Sequence, residues 1–263
     1  MSKLYTLALI FILISCDSRR IVSNDDTIFV DYDKEQIFDW NNTILIKSVV
    51  SLETADDCVL SYARKCLVSG KYIVYHDEKQ KAIFVFDEEG TFLYVIDAVG
   101  GGPDEYTEIK DMAISCDKEF ILVLDNKSVV SFDLKNGRFQ DRISLPQDIA
   151  SNFYRFANVD KQTFYFWSTE KENSLYLYEN GEMKVIEKRT GFPFVCQKFY
   201  YDSENSLNYI SDYGLFEIHG LEQERVRKKY SFDFGYLNFS KSQMPKNVTE
   251  FEQVDDDESF KCI

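Results

Sequence analysis

A short hairpin pattern recurs along this chain, and its period limits the possible folds more than any other feature. FDEEGTF, FDLKNGRF and LYENGEM each read as strand, tight turn and strand, around Gly90, Gly137 and Gly181. FEIHGLE, around Gly220, reads as a degraded fourth copy. The glycines recur at intervals of 47, 44 and 39 residues. Glycine supplies the positive φ that a short hairpin loop needs after a type I turn. With the apolar runs between hairpins, each unit holds about four short strands, which matches a β-propeller blade. A β-sandwich spaces its strands similarly but does not repeat one hairpin at this period. The chain therefore reads as all-β, a β-propeller of four-stranded antiparallel blades. No segment sustains a helical period beyond two turns.

The stretch from Ala82 to Ser115 shows one unit in full. Ile83, Val85, Phe92, Tyr94 and Ile96 alternate with Phe84, Phe86, Leu93 and Val95, so both faces are apolar. Such strands are buried on both sides. Gly100-Gly101-Gly102-Pro103 cannot continue a strand and lets the backbone turn sharply into the next unit. Upstream, Thr27 to Tyr32 is expected to form a short strand and Ile44 to Leu52 (ILIKSVVSL) a stronger one. Shorter runs follow at Cys58 to Tyr62 and Cys66 to Ser69. The abundance of Phe and Tyr, 22 and 17 in 263 residues, favours sheet over helix.

The net charge of −15 argues against a nucleic-acid partner, which needs a basic stripe. The one basic cluster, RVRKK from Arg225 to Lys229, stands in a strand-like context beside Glu222 and Glu224 and reads as a solvated face.

The first residues carry an address. Lys3 is a minimal positive region, Leu4 to Ile14 is nearly all apolar, and Ser15-Cys16 follows. The run is too short for a permanent membrane span and fits a secretory signal. Leu13-Ile14-Ser15-Cys16 resembles the lipobox of bacterial lipoproteins, in which a small residue precedes a lipidated cysteine. This gives a signal peptide over 1–15, a lipidated tether over 16–26 with lipid on Cys16, a partial propeller over 27–234, and an incomplete fifth blade or acidic tail over 235–263. The membrane, reached through that lipid, is the first expected partner.

Three features together resemble the six-bladed β-propeller lipoproteins of Bacteroidetes, a largely unassigned family related in shape to NHL-repeat propellers. They are Leu52-Glu53-Thr54, the hairpin Phe84-Val85-Phe86-Asp87 to Phe92, and Gly100-Gly101-Gly102-Pro103-Asp104-Glu105-Tyr106. The last looks like the family's G-x-G-P-G-E-Y, with Asp104 where the family usually has Gly. Asp tolerates a left-handed backbone better than most residues. The resemblance implies six blades, with the strand near Thr27 closing the last. Only about four blade units fit here, so the chain is expected to be a C-terminally truncated propeller with open β edges.

Candidate sites are few. Gly100, Gly102, Pro103, Asp104, Glu105 and Tyr106 offer a loop at one end of the channel. Their structural reading is the better supported: glycines make the crossing, Tyr106 packs between blades, and Glu105 accepts backbone N–H bonds. A single loop is not a catalytic constellation. Cys16 set aside, Cys58, Cys66, Cys116, Cys196 and Cys262 remain, with no C-x-x-C. Cys58 and Cys66 read as small buried strand residues ahead of a disulfide. His76 and His219 read as strand-end residues, with Asp77 and Glu217 neighbours in sequence only. Asp31-x-Asp33 and Asp255-Asp256-Asp257 lack the pattern of a calcium loop. Sequons stand at Asn41, Asn238 and Asn247. No catalytic residues, metal ligands or cofactor are assigned. The leading expectation is a membrane-anchored, non-enzymatic module that binds a peptide, glycan or protein. A metal-dependent lyase or hydrolase of the channel is the alternative, and a non-functional truncated product the third.

Overall fold

Runs of β-branched and aromatic residues, broken by Gly, Asn and Asp turns, set the strands. The computed structural model describes residues 26–31, 45–212 and 215–235. After β1 (Thr27–Phe29) the first blade is β2 (Ala63–Ser69), β3 (Tyr72–Asp77), β4 (Ala82–Asp87) and β5 (Phe92–Ile96). The second is β6 (Asp111–Ile114), β7 (Phe120–Leu124), β8 (Ser128–Asp133) and β9 (Phe139–Ser144). The third is β10 (Phe153–Asp160), β11 (Thr163–Ser168), β12 (Asn173–Glu179) and β13 (Glu182–Lys188). The fourth is β14 (Phe199–Tyr201), β15 (Leu207–Ile210), β16 (Glu217–Glu222) and β17 (Arg225–Asp233). The four strands of each blade form an antiparallel meander, and the four sheets are arranged as the blades of a propeller. The described residues hold four blades, where the resemblance implied six.

The apolar pattern on both faces explains the stacking. Along β4, Ile83 and Val85 point into the core shared with the second blade, and Phe84 and Phe86 into the opposite cluster. Along β7, Ile121 and Val123 join that first core, while Leu122 and Leu124 join the next. Along β11, Phe164 and Phe166 face back and Tyr165 and Trp167 face forward to the fourth blade. Side chains alternate across a strand, so each central strand serves two interfaces at once.

The hairpin glycines fall where the repeat places them. Gly90, Gly137 and Gly181 have φ of 90°, 70° and 91°. Gly220 does not: it lies inside β16, and the turn of the fourth blade falls at Gln223, with φ 54°. A leucine and a glutamate follow that glycine, so its own strand continues past it.

Two strand expectations are corrected. Residues 45–52 form no strand, and Leu45, Ile46 and Val49 are exposed. The segment runs past the first blade with isolated ties: Glu53 N–H donates to Gly90 O, and Phe92 N–H donates to the Glu53 carboxylate. Leu52, Cys58 and Leu60 then cover Phe84 and Phe86. The run from Cys58 to Tyr62 is likewise not a strand; the innermost strand starts at Ala63. The early strand does find a blade. β1 pairs in parallel with β17, Thr27 opposite Ser231, at the outer edge of the fourth blade.

The signal peptide over 1–15, Cys16 and its tether to residue 25, Asp33, Cys262, the Asp255–Asp257 run, the three sequons and the tail from 236 lie outside the described residues.

Candidate functional site

The innermost strands of the four blades end at Ser69, Ile114, Asp160 and Tyr201. Residues at or just before and after these ends line one cavity of 570 Å³. Val68 and Ser69 come from the first blade, Ser115, Cys116 and Lys118 from the second, Val159 and Tyr165 from the third. Tyr201, the Asn205–Leu207 turn, the Gly220–Gln223 hairpin and Lys229 complete it from the fourth. Lys118 and Asn205 hold left-handed turns, with φ of 60° and 61°, and so present side chains where glycine is the usual solution.

Two phenols brace this mouth. Tyr165 Oη donates to Gln223 O at 2.7 Å, and Tyr201 Oη donates to Asn158 O at 2.7 Å. Burial, then the nearby Glu179 carboxylate, pushes Tyr165 up to about 12, so it stays a neutral donor. Asn158 Oδ1 accepts Cys116 N–H, tying the second blade to the third. Partial desolvation and then the Asp117 carboxylate push the Cys116 thiol up, which keeps it protonated and a weak nucleophile. Lys229 Nζ donates to Asp202 at 3.0 Å. The Ser206 N–H, then the Asn208 amide and Lys229, hold Asp202 well below the usual carboxylate range. The mouth thus offers hydroxyls, amides, a fixed and half-exposed Tyr201 ring and paired charges. That is an inventory for binding a polar ligand by hydrogen bonds and ring contact.

The opposite end of the channel is built from ties between blades. Lys65 Nζ meets Asp111 Oδ1 at 2.6 Å, and Asp111 Oδ2 accepts Phe156 N–H at 3.2 Å. Arg155 donates to Lys110 O and Cys196 O. Next to these lies a buried ion cluster. Asp212 accepts from Trp167 Nε1 at 2.8 Å and pairs with Arg189 at 2.5 Å, with Lys198 Nζ at 3.6 Å. Lys198 also donates to Ser211 O and stands 4.7 Å over the Trp167 ring. Burial pushes Asp212 up and Lys198 down; their mutual attraction opposes both shifts.

The sequence candidates fall at this second end, away from the cavity. Gly100 to Tyr106 lies in the crossing from β5 to β6, pinned by Gly100 N–H to Tyr106 O and Tyr106 N–H to Ala98 O. Tyr106 is fully buried and donates to Lys81 O at 2.8 Å. Glu105 accepts Gly102 N–H at 2.7 Å. A Cβ on Gly100 would stand 1.9 Å from that carboxylate, so close approach of the Glu105 side chain, not positive φ, favours glycine here, and any larger residue must displace that carboxylate. Asp104 is not left-handed, and the turn forms without the residue the motif would have there. Arg142 of the second blade donates to Pro103 O and Glu105 O, which fixes the loop to the next sheet.

Other expectations are corrected. Cys58 is buried but lies in a turn, and Cys66 lies on β2 but is exposed; both are free thiols. Glu217 is a spatial partner of His219, with Oε2 3.0 Å from Nε2, and Glu187 stands 3.4 Å from Nδ1. Their cause is the fold: Glu187 comes from β13 of the third blade. His76 stands next to the end of β3, as expected, and is buried, whereas His219 lies inside β16 and not at its end. Among the described residues no three His, Cys, Asp or Glu side chains gather to hold a metal, and no helix is long and apolar enough to cross a membrane. Sequence reasoning missed the cavity because its residues come from four separate turns with no shared motif. The period itself was the available signal, since equivalent strand ends must converge on the axis.

The model of a domain of unknown function, DUF4934, matches residues 26–262. No curated protein matches the sequence. Among solved structures, a Bacteroides fragilis protein described as exported aligns with TM-score 0.65 at 16% identity, covering 88% of this chain and 68% of its own. A member of the DUF4221 family from Bacteroides vulgatus aligns at 0.48 and 13%, covering 69% and 62%. The WD40 propeller domain of Doa1 aligns at 0.42 and 12%, covering 64% and 52%. This chain therefore spans about two thirds of the first and less of the other two. The first likeness shows the propeller fold.

Proposed function

This chain belongs to the DUF4934 family, and we propose that it is an envelope-anchored binding module that takes a peptide, glycan or protein segment at the mouth of its channel. One observation carries the reading: the strand ends of all four blades build a single 570 Å³ cavity of hydroxyls, amides and a braced tyrosine. Its titratable side chains are a protonated thiol, two phenols, two lysines and Glu222, and both phenols already donate to backbone carbonyls. The finer parts belong to the same proposal. They are the likeness to six-bladed NHL-like lipoproteins, cleavage before Cys16 and its lipidation, and an envelope location, which the exported relative supports. The net charge of −15 turns nucleic acids away.

The test is a thermal-shift screen of peptides and oligosaccharides on the wild type and on Cys116→Trp, which fills the cavity from an exposed position. Ligands that raise the wild-type Tm are expected to leave the variant unmoved. A ligand that stabilises both equally places binding elsewhere. Stoichiometric zinc or calcium in the purified protein would instead favour a metal-dependent lyase or hydrolase.

A further inference from the structure

We propose that the outer edge of the fourth blade, along Arg225 to Tyr230 of β17, docks an acidic, extended segment of a partner protein, which adds to the blade as a further strand. This goes beyond the channel-mouth reading and does not depend on it.

The edge already accepts a strand. β1 pairs in parallel with Ser231, Phe232 and Asp233, and Ser231 N–H donates to Asp26 O. β17 is nine residues long, so β1 covers only its last third. Among the described residues no strand pairs with the outward side of Arg225 to Tyr230. Unpaired edge N–H and C=O groups are a template for another strand.

Charge selects the partner. Arg225, Arg227 and Lys228 are exposed, and neither arginine has an ion-pair partner among the described residues. Lys228 reaches Glu217 only at 3.7 Å, and Lys229 is taken by Asp202. The outer strands of the other blades, FLYVI, FQDRIS and EMKVIEK, carry no comparable run. Glu222 stands opposite Arg225 in the register, and Arg225 and Arg227, without ion-pair partners on a chain of net charge −15, are the cations of this edge left to meet an acidic segment. The same cations resist a second copy of this edge, because like charges would face each other across the new ladder. In strand addition the backbone bonds give affinity and the side chains give choice of partner.

The experiment measures fluorescence anisotropy of a labelled peptide of alternating glutamate and valine, about eight residues long, against the full chain. Saturable binding that weakens with salt is expected. Arg225→Glu with Arg227→Glu should weaken it by about tenfold. Both residues are exposed, and an unchanged circular dichroism spectrum and Tm will show that the variant folds. A peptide with the valines replaced by proline keeps the charge but loses donors, and it should not bind. The proposal is overturned if the proline peptide binds equally, if the charge-reversal variant binds as well as wild type, if the acidic peptide shows no binding, or if a DNA duplex of equal charge binds more tightly.

Discussion

Removing the Asp212 carboxylate should destabilise the protein far more than removing the Lys198 ammonium beside it. The cluster holds two cations and one carboxylate, all nearly inaccessible to solvent. At an effective dielectric of about 20, the 2.5 Å Arg189 pair attracts by roughly 7 kcal/mol and the 3.6 Å Lys198 pair by roughly 5 kcal/mol. Most of this is offset by desolvation. Asp212→Ala leaves both cations without their counter-charge, with only backbone carbonyls to donate to, and Trp167 Nε1 without its acceptor; breaking a buried pair from one side costs about 3–5 kcal/mol. Lys198→Met does the reverse. It removes the most buried cation, whose charge burial already disfavours, and it relieves repulsion with Arg189. Asp212 keeps Arg189 and Trp167, and the methionine stem refills the space over the indole. Its cost should lie within about 1 kcal/mol of zero, either way. Urea unfolding at neutral pH reads both, as a shift of midpoint at constant slope. Equal costs for the two variants, or a loss under about 1 kcal/mol for Asp212→Ala, would refute the assignment of Asp212 as the organising charge.

Three further outcomes follow from the same contacts. Burial pulls the His219 ring down, but Glu187 and Glu217 outweigh it and hold its pKa above the ordinary value. Its contribution to stability is therefore full below about pH 6.5 and is lost as pH rises through the raised value. Urea midpoints taken on both sides of that window should fall with pH in the wild type and change less in His219→Gln, with Lys228 near Glu217 present in both. Gly100→Ala should cost about 1–3 kcal/mol by driving the Glu105 carboxylate off Gly102 N–H, and almost nothing in a Glu105→Ala background; a thermal double-mutant cycle checks the coupling. Phe166→Ala should cost about 3–5 kcal/mol in urea unfolding, because Phe166 is fully buried and stacked on Phe153 at 4.9 Å.

The repeat was legible because its cause is local. Asp87, Asp133 and the Asn180-Gly181 pair set their turns with their own side chains and backbone, whatever lies around them. FILVL from Phe120 to Leu124 matches its strand end to end. ILIKSVVSL misled for the opposite reason. Its β-formers favour a strand, but a strand needs a partner edge, and its described residues meet the first blade only near their end, with Val50 and Ser51 beside Gly90 and Leu52 over Phe84 and Phe86. Gly220 misled because a glycine in a short repeat looks like a turn; here its missing Cβ makes room for Lys229. The Gly100–Tyr106 loop was recognisable as a motif, yet the reason for it, a carboxylate folded onto Gly100, is a contact three-dimensional in origin. The channel mouth and the Asp212 cluster were silent in the sequence, since each joins residues from separate blades.

The double-sided central strands carry one more consequence. Among the described residues, the three joints between successive blades differ in material. The first is mainly aliphatic, the second is a stack of phenylalanines, and the third uses Tyr165, Trp167 and Tyr209. A blade moved to another position would present the wrong surface on both sides. The order of the units is thus keyed, much as a set of connectors accepts only one sequence of assembly. Such keying lets near-identical modules share one chain without exchanging places during folding, and it means that a gained or lost blade must bring two matching faces, not one.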